Sequence, residues 1–135
     1  MAGYTKNFKG PKWPIKPLKI KVDDDQNVVA TTKAINAGLK HNAIALHFVV
    51  RNGAMEVYGY IGGQWHFVAE LPFRASSAIV NRLKIMGNLS IAERQRIQIG
   101  TIDLNVSIRH PAFRIVAIPA NVGIEEVYLS VIPEC

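Results

Sequence analysis

The sequence of 135 residues predicts one α+β domain, a mostly antiparallel sheet of about six strands with two helices on one face. Three observations predict it. Runs rich in Val, Ile, Leu, Phe and Tyr are separated by the turn pairs Asn52-Gly53 and Gly62-Gly63, which join neighbouring strands as hairpins. Between Phe73 and Met86 the apolar residues change to helical spacing, with Ala75, Ile79, Leu83 and Met86 on one stripe and Val80 alongside. After Asn88 the strand-like pattern returns. A chain of this length buries a useful core in a single domain, and it holds no internal repeat.

Residues 1–27 read as a basic, proline-containing arm and residues 28–135 as the domain. Pro11, Pro14 and Pro17 are spaced by three, which favours an extended or polyproline II course. The net charge is +6. Lys6, Lys9, Lys12, Lys16, Lys19 and Lys21 stand against Asp23, Asp24 and Asp25, so positive charge is densest in the arm, where Trp13 offers an aromatic anchor. Leu18–Val22 alternates apolar and basic residues, as a short edge strand does, and Asp23–Gln26 breaks it.

Thr31 or Thr32 caps a predicted helix over Lys33–Leu39, with Gly38 near its end. Ala43–Val50, Met55–Ile61 and Gln64–Ala69 follow as a three-strand meander. Pro72 ends the third strand and starts the long helix near Phe73; Arg74, Asn81, Arg82 and Lys84 fall largely off its apolar stripe. Gly87-Asn88 stops it. Ser90 and Glu93 form a capping-box pattern that opens a short helical turn over Ile91–Arg94. Gln98–Ser107, Ala112–Ile118 and Glu125–Val131 read as strands, joined through His110-Pro111 and Pro119–Gly123.

Several kinds of chemistry find no support. Cys135 is the only cysteine, so neither a disulfide framework nor a zinc-type cysteine cluster is available. No apolar run approaches the roughly 18 residues of a membrane span, and the N-terminus lacks the apolar stretch of a secretory signal, so a cytoplasmic location is expected. No G-x-x-x-x-G-K-[ST] run is present; Gly59, Gly62 and Gly63 lack the lysine and the helix that would have to follow. His41, His47, His66 and His110 form no H-x-x-x-H or H-E-x-x-H pair. His47 and His66 are strand residues that a sheet can bring near each other, but no third metal ligand is evident. Glu56 and Glu70 fall on different strands, Glu125 and Glu126 point to opposite faces, and Ser76-Ser77 has no partner for nucleophilic catalysis. No catalytic residue, cofactor or metal is assigned. Arg74, Arg82, Lys84, Arg94, Arg96, Arg109 and Arg114 read either as a solvated basic face or as guanidinium groups offered to a neighbour's phosphate.

From Ile35 to Ile132 the chain resembles the domain that precedes the nucleotide-binding core in type II secretion and type IV pilus assembly ATPases. The most specific match is Val80-Asn81-Arg82-Leu83-Lys84-Ile85-Met86 followed by Leu89-Ser90-Ile91-Ala92-Glu93-Arg94. Ile35-Asn36-Ala37-Gly38 leading to Ile44-Ala45-Leu46-His47, and Arg114-Ile115-Val116 with Pro119 and Gly123, carry the rest. In that family the domain packs on the ATPase core in a hexameric ring, and arginines of its second strand reach towards the nucleotide phosphates. Here those places hold Glu56, Tyr58 and Tyr60; Gly62 replaces the Asp of an Asp-Gly turn, and Ile97-Gln98-Ile99-Gly100 replaces Pro-Gln-Asp-Gly.

The resemblance therefore implies a scaffold without nucleotide contacts: a non-catalytic interaction or regulatory module that docks on a motor or its platform. The alternative within the same family is a fragment of a longer ATPase, ending where the core would begin. The expected protein-binding surface is the joint after the long helix, with Arg82, Glu93, Arg94 and Arg96 around the Asn88 loop, and secondarily Arg114 and Asn121. A binder of nucleic acid or another acidic surface, using the lysine arm and Trp13, is the reading from a different class.

Overall fold

A computed structural model of the chain describes residues 15–23, 26–103, 112–121 and 123–133. Lys6, Lys9, Lys12, Trp13, Arg109 and His110 lie outside them. The strands are β1 (Leu18–Lys19), β2 (Ala45–Arg51), β3 (Ala54–Ile61), β4 (Gln64–Pro72), β5 (Gln98–Asp103), β6 (Ala112–Asn121) and β7 (Ile124–Ile132). The helices are α1 (Asn27–Leu39) and α2 (Ser76–Met86), the latter entered through a 3-10 turn at Phe73–Ala75.

The sheet thus has seven strands rather than about six, in the order β1-β4-β3-β2-β7-β6-β5. β1, at the edge where the Leu18–Val22 strand is expected, pairs parallel to β4 through Leu18 with Ala69 and Lys19 with Glu70; all the other pairings are antiparallel. β1 is shorter than the predicted Leu18–Val22 run, although Ile20 and Val22 still bury in the core. An Arg74 guanidinium nitrogen donates to the Val22 carbonyl and ties this segment to the entrance of α2.

Register sorts the sheet into two faces. Leu46, Gly59 and His66 are cross-strand partners on the core face, and His47, Tyr58 and Phe67 are partners on the opposite one. The two histidines therefore lie on opposite faces of the sheet, not near each other. His66 is buried and bonds the Ile61 carbonyl at 3.2 Å. His47 stacks on Tyr128 at 4.0 Å between ring centroids and meets Glu126 at 2.7 Å. Phe48, Met55 and Phe113 from the sheet and Ile35, Ile79 and Leu83 from the helices are fully buried in one core.

Three local expectations are corrected. α1 begins at Asn27, so Thr31 and Thr32 lie inside it and cap nothing; their hydroxyls donate to the carbonyls of Asn27 and Val28 at 2.7 and 3.1 Å. The longer helix also buries Ala30, Thr31 and Ala34, which a start at Lys33 would strand in part. Ile91–Arg94 is not helical. Ser90 Oγ does accept the Glu93 N–H at 3.2 Å, but the reciprocal half of the box is taken by Gln98, whose side chain accepts from Ser90 N and donates to Ser90 O, both at 2.9 Å. β6 runs on through Pro119 to Asn121, with a register irregularity after Pro119 that accommodates a residue unable to donate a ladder bond.

Candidate interaction surface

Lys84 is fully buried, although its place in the helix pattern puts it largely off the apolar stripe. Its ammonium donates to both oxygens of Glu125, at 3.0 and 2.9 Å, and to the Glu93 carbonyl at 2.7 Å. Three donors thus meet three acceptors, the arrangement that makes a charge tolerable away from water. The reason is geometric. Lys84 lies one turn beyond Val80 and next to Leu83, so its stem enters the core; Glu125 shares an inward-facing alternation with Val127 and Leu129.

The third bond of the ammonium gives this pair its wider effect. It holds the backbone of the Ser90–Ile97 segment against the end of α2. The helix ends with Asn88 in the left-handed region at φ 59°, and Leu89 N–H donates back to the Lys84 carbonyl at 2.7 Å. The segment is thereby brought beside the β6–β7 hairpin. Between them opens a small cleft of about 140 Å³, walled by Val50, Phe73, Val80 and Ile124, with Asn81 and Arg94 supplying polar groups.

The predicted site residues separate on this frame. Arg94 is exposed on the cleft, and Asn121 is exposed at the hairpin end, opposite Ile124. Glu93 is half-buried; its carboxylate accepts the Gln95 N–H at 3.0 Å and sits 3.9 Å from Arg96, whose side chain is 85% exposed. Arg82 is half-buried, with its Nε enclosed and making no hydrogen bond among the described residues. Arg114 stands apart: it is exposed on the other face of the sheet, opposite Thr101 and Ser130. Lys16, Lys19 and Lys21 are exposed along the β1 edge. Lys84 and Glu125 are the residues that sequence reasoning missed. A glutamate in phase with Val127 and Leu129 was the available clue.

Two of the three positions where the resemblance places arginines, Glu56 and Tyr58, join one network on the helix-free face, while the third, Tyr60, meets Trp65 edge-on at 5.1 Å between ring centroids. Tyr58 donates to Glu56 at 2.7 Å, Arg51 approaches the same carboxylate at 3.3 Å, and Asn52 donates to it at 3.4 Å. Burial, and then the Glu56 carboxylate, hold the Tyr58 phenol above its usual pKa. A carboxylate there repels phosphate. Among the described residues no three His, Cys, Asp or Glu side chains converge as a metal site, and no helix is long and apolar enough to cross a membrane.

Residues 21–134 match a family described as Type II/IV secretion system protein. The chain belongs to that family. Among curated secretion-family relatives it is 25% identical over 118 residues to the Protein transport protein HofB homolog of Escherichia coli, covering 87% of this chain and 25% of that one. It is 32% identical over 102 residues to the Type IV pilus assembly ATPase PilB of Pseudomonas aeruginosa, covering 75% of this chain and 18% of that one. This secretion-family chain thus spans a quarter or less of the length of the relatives it matches. The likeness read from the Val80–Arg94 segment is to the same group of proteins.

Proposed function

We propose that this secretion-family domain binds a protein partner in the cytoplasm and carries out no nucleotide chemistry of its own. The partner fitting that role is a secretion or pilus ATPase core, or the platform on which such a motor works. The observation that carries the reading is the Lys84–Glu125–Glu93 lock. It commits a buried charge to hold an otherwise irregular segment in one place, with Arg94 and Arg96 outward beside an apolar-walled cleft. A surface loop with no binding role has little need of such an anchor. Lack of a P-loop in the sequence and the Glu56–Tyr58 network on the helix-free face support the non-catalytic half of the reading.

The test is capture from a host lysate followed by titration against the purified partner. Arg94→Glu with Arg96→Glu should leave the melting transition in place, because both side chains are exposed, and weaken binding by about 1–3 kcal/mol. Unchanged affinity with both charges reversed removes this surface. The purified chain should turn over ATP and GTP no faster than buffer; turnover abolished by an Arg94 or Arg114 substitution contradicts the non-catalytic reading.

Exposed Lys16, Lys19 and Lys21 beside β4 favour the second reading, attraction to nucleic acid or another acidic surface. Ile20 is part of the core, so deletion through residue 21 would perturb the fold; joint replacement of the three lysines by alanine is the cleaner probe. A steep fall of affinity with salt that these replacements flatten supports this second reading, and salt-insensitive binding through Arg94 supports the first.

A further inference from the structure

The two edges of the sheet are built differently. β1 has two residues, one of them exposed Lys19, follows Pro17, and is flanked by exposed Lys16 and Lys21, all features that discourage addition of another strand. β5 has six residues, contains neither proline nor lysine, and keeps an unbroken register with β6. Among the described residues no strand pairs with its outer edge. Ile97, just before it, and Ile99, within it, are 61% and 60% exposed. A regular edge free of lysine and proline, with exposed isoleucines, is a template for strand pairing.

Charge indicates what pairs there. The lead-in to β5 carries exposed Arg94 and Arg96, and its far end carries exposed Asp103. An antiparallel copy of the same strand sets each basic lead-in beside the other's aspartate, whereas a parallel copy sets like charges side by side. A two-fold axis normal to the sheet at Ile99 places Ile99 against its own copy and Ile97 opposite Thr101. It also brings Asp103 opposite Gln95, between Arg94 and Arg96 of the second chain. Residues of one parity share a face, so this register keeps both cores on the same side of a continuous sheet. We propose that β5 is a self-pairing edge through which two copies of this chain associate antiparallel. This uses the charges of Arg94 and Arg96 beside the β5 edge but not the cleft, and its test needs no second protein.

Sedimentation equilibrium of the full chain, from micromolar to submillimolar concentration, tests it. The expected result is a reversible monomer–dimer equilibrium. Ile99→Lys with Thr101→Lys should weaken it by about tenfold or more, since like charges then crowd the axis, while the circular dichroism spectrum and melting transition are retained. In a Cys135→Ser background, Ile99→Cys should form an intermolecular disulfide under mild oxidation faster than Ile85→Cys, an exposed helix position. A wild-type chain that stays monomeric throughout, including one whose edge takes a strand only from another protein, overturns the proposal. So does a double-lysine variant that dimerises like wild type, or equal cross-linking at both cysteine positions.

Discussion

Lys84→Met is expected to destabilise the fold by about 3–5 kcal/mol, among the largest effects of any single substitution in this chain. Methionine keeps most of the stem's volume, so little cavity forms. What it removes is the one group among the described residues that neutralises Glu125, which is left 5% exposed with its charge uncompensated, and the donor that satisfies the Glu93 carbonyl. Urea unfolding followed by tryptophan fluorescence and circular dichroism measures the loss, and a value below about 1 kcal/mol would show that water replaces the ammonium. Lys84→Met combined with Glu125→Leu should recover most of the stability, because two apolar groups replace two charges. The double variant still cannot hold Glu93 O. Partner binding through Arg94 should therefore remain weak after stability returns, which separates holding the fold from holding the loop.

Gly100→Ala is expected to cost about 1–3 kcal/mol although it adds a single methyl group. A Cβ at this position would lie 2.5 Å from the Gly87 carbonyl oxygen and 2.9 Å from a Leu89 methyl. The first of these is backbone held by the C-terminal bonds of α2, so it has no rotamer by which to yield. Here β5 crosses close to the end of the helix, and both crossing points are glycine. Gly63→Ala is the control. Its added methyl meets nothing within 4 Å, so it bears only the strain of its φ of +87°. Thermal denaturation in which the two variants lose equal stability would show that backbone conformation, not the close approach, decides the effect.

Much of this architecture was legible because its determinants are local. The Asn52-Gly53 and Gly62-Gly63 turns lie in the left-handed region, where their residue types predict them, and the Ile79–Leu83 stripe packs inward. The errors arise where a distant partner decides. Lys84 reads as a surface residue until Glu125, 41 residues on, comes to face it. The Ser90–Glu93 box reads as a helix start until Gln98 takes one of its bonds. His47 and His66 read as possible neighbours until pairing places them in different layers of side chains. At the interaction surface, exposure of Arg94 and Arg96 followed from their polarity, but the anchor beneath them did not. Nor did the isolation of Arg114, which depends on the phase of β6 and not on its composition.

The sheet order has a consequence for assembly. β2, β3 and β4 are one meander and β5, β6 and β7 another, and they meet only along β2 and β7, through Ala45–Phe48 against Val127–Ser130. Within each meander adjacent strands are close in sequence, so pairing there requires only short loops to close. Across the seam His47 and Glu126 are 79 residues apart, and closing so long a loop carries a larger entropy penalty. That penalty falls once the chain in between is already ordered. Loop-closure entropy therefore predicts that the two halves gain structure first and that the seam is zipped last, in the middle of the finished sheet. Leu46, Phe48, Val127 and Leu129 are fully buried there, so the contacts latest to form are also among the best shielded from water. Until they form, each half exposes an apolar strand edge, and the molecule's window for mispairing lies in the interval before its centre closes.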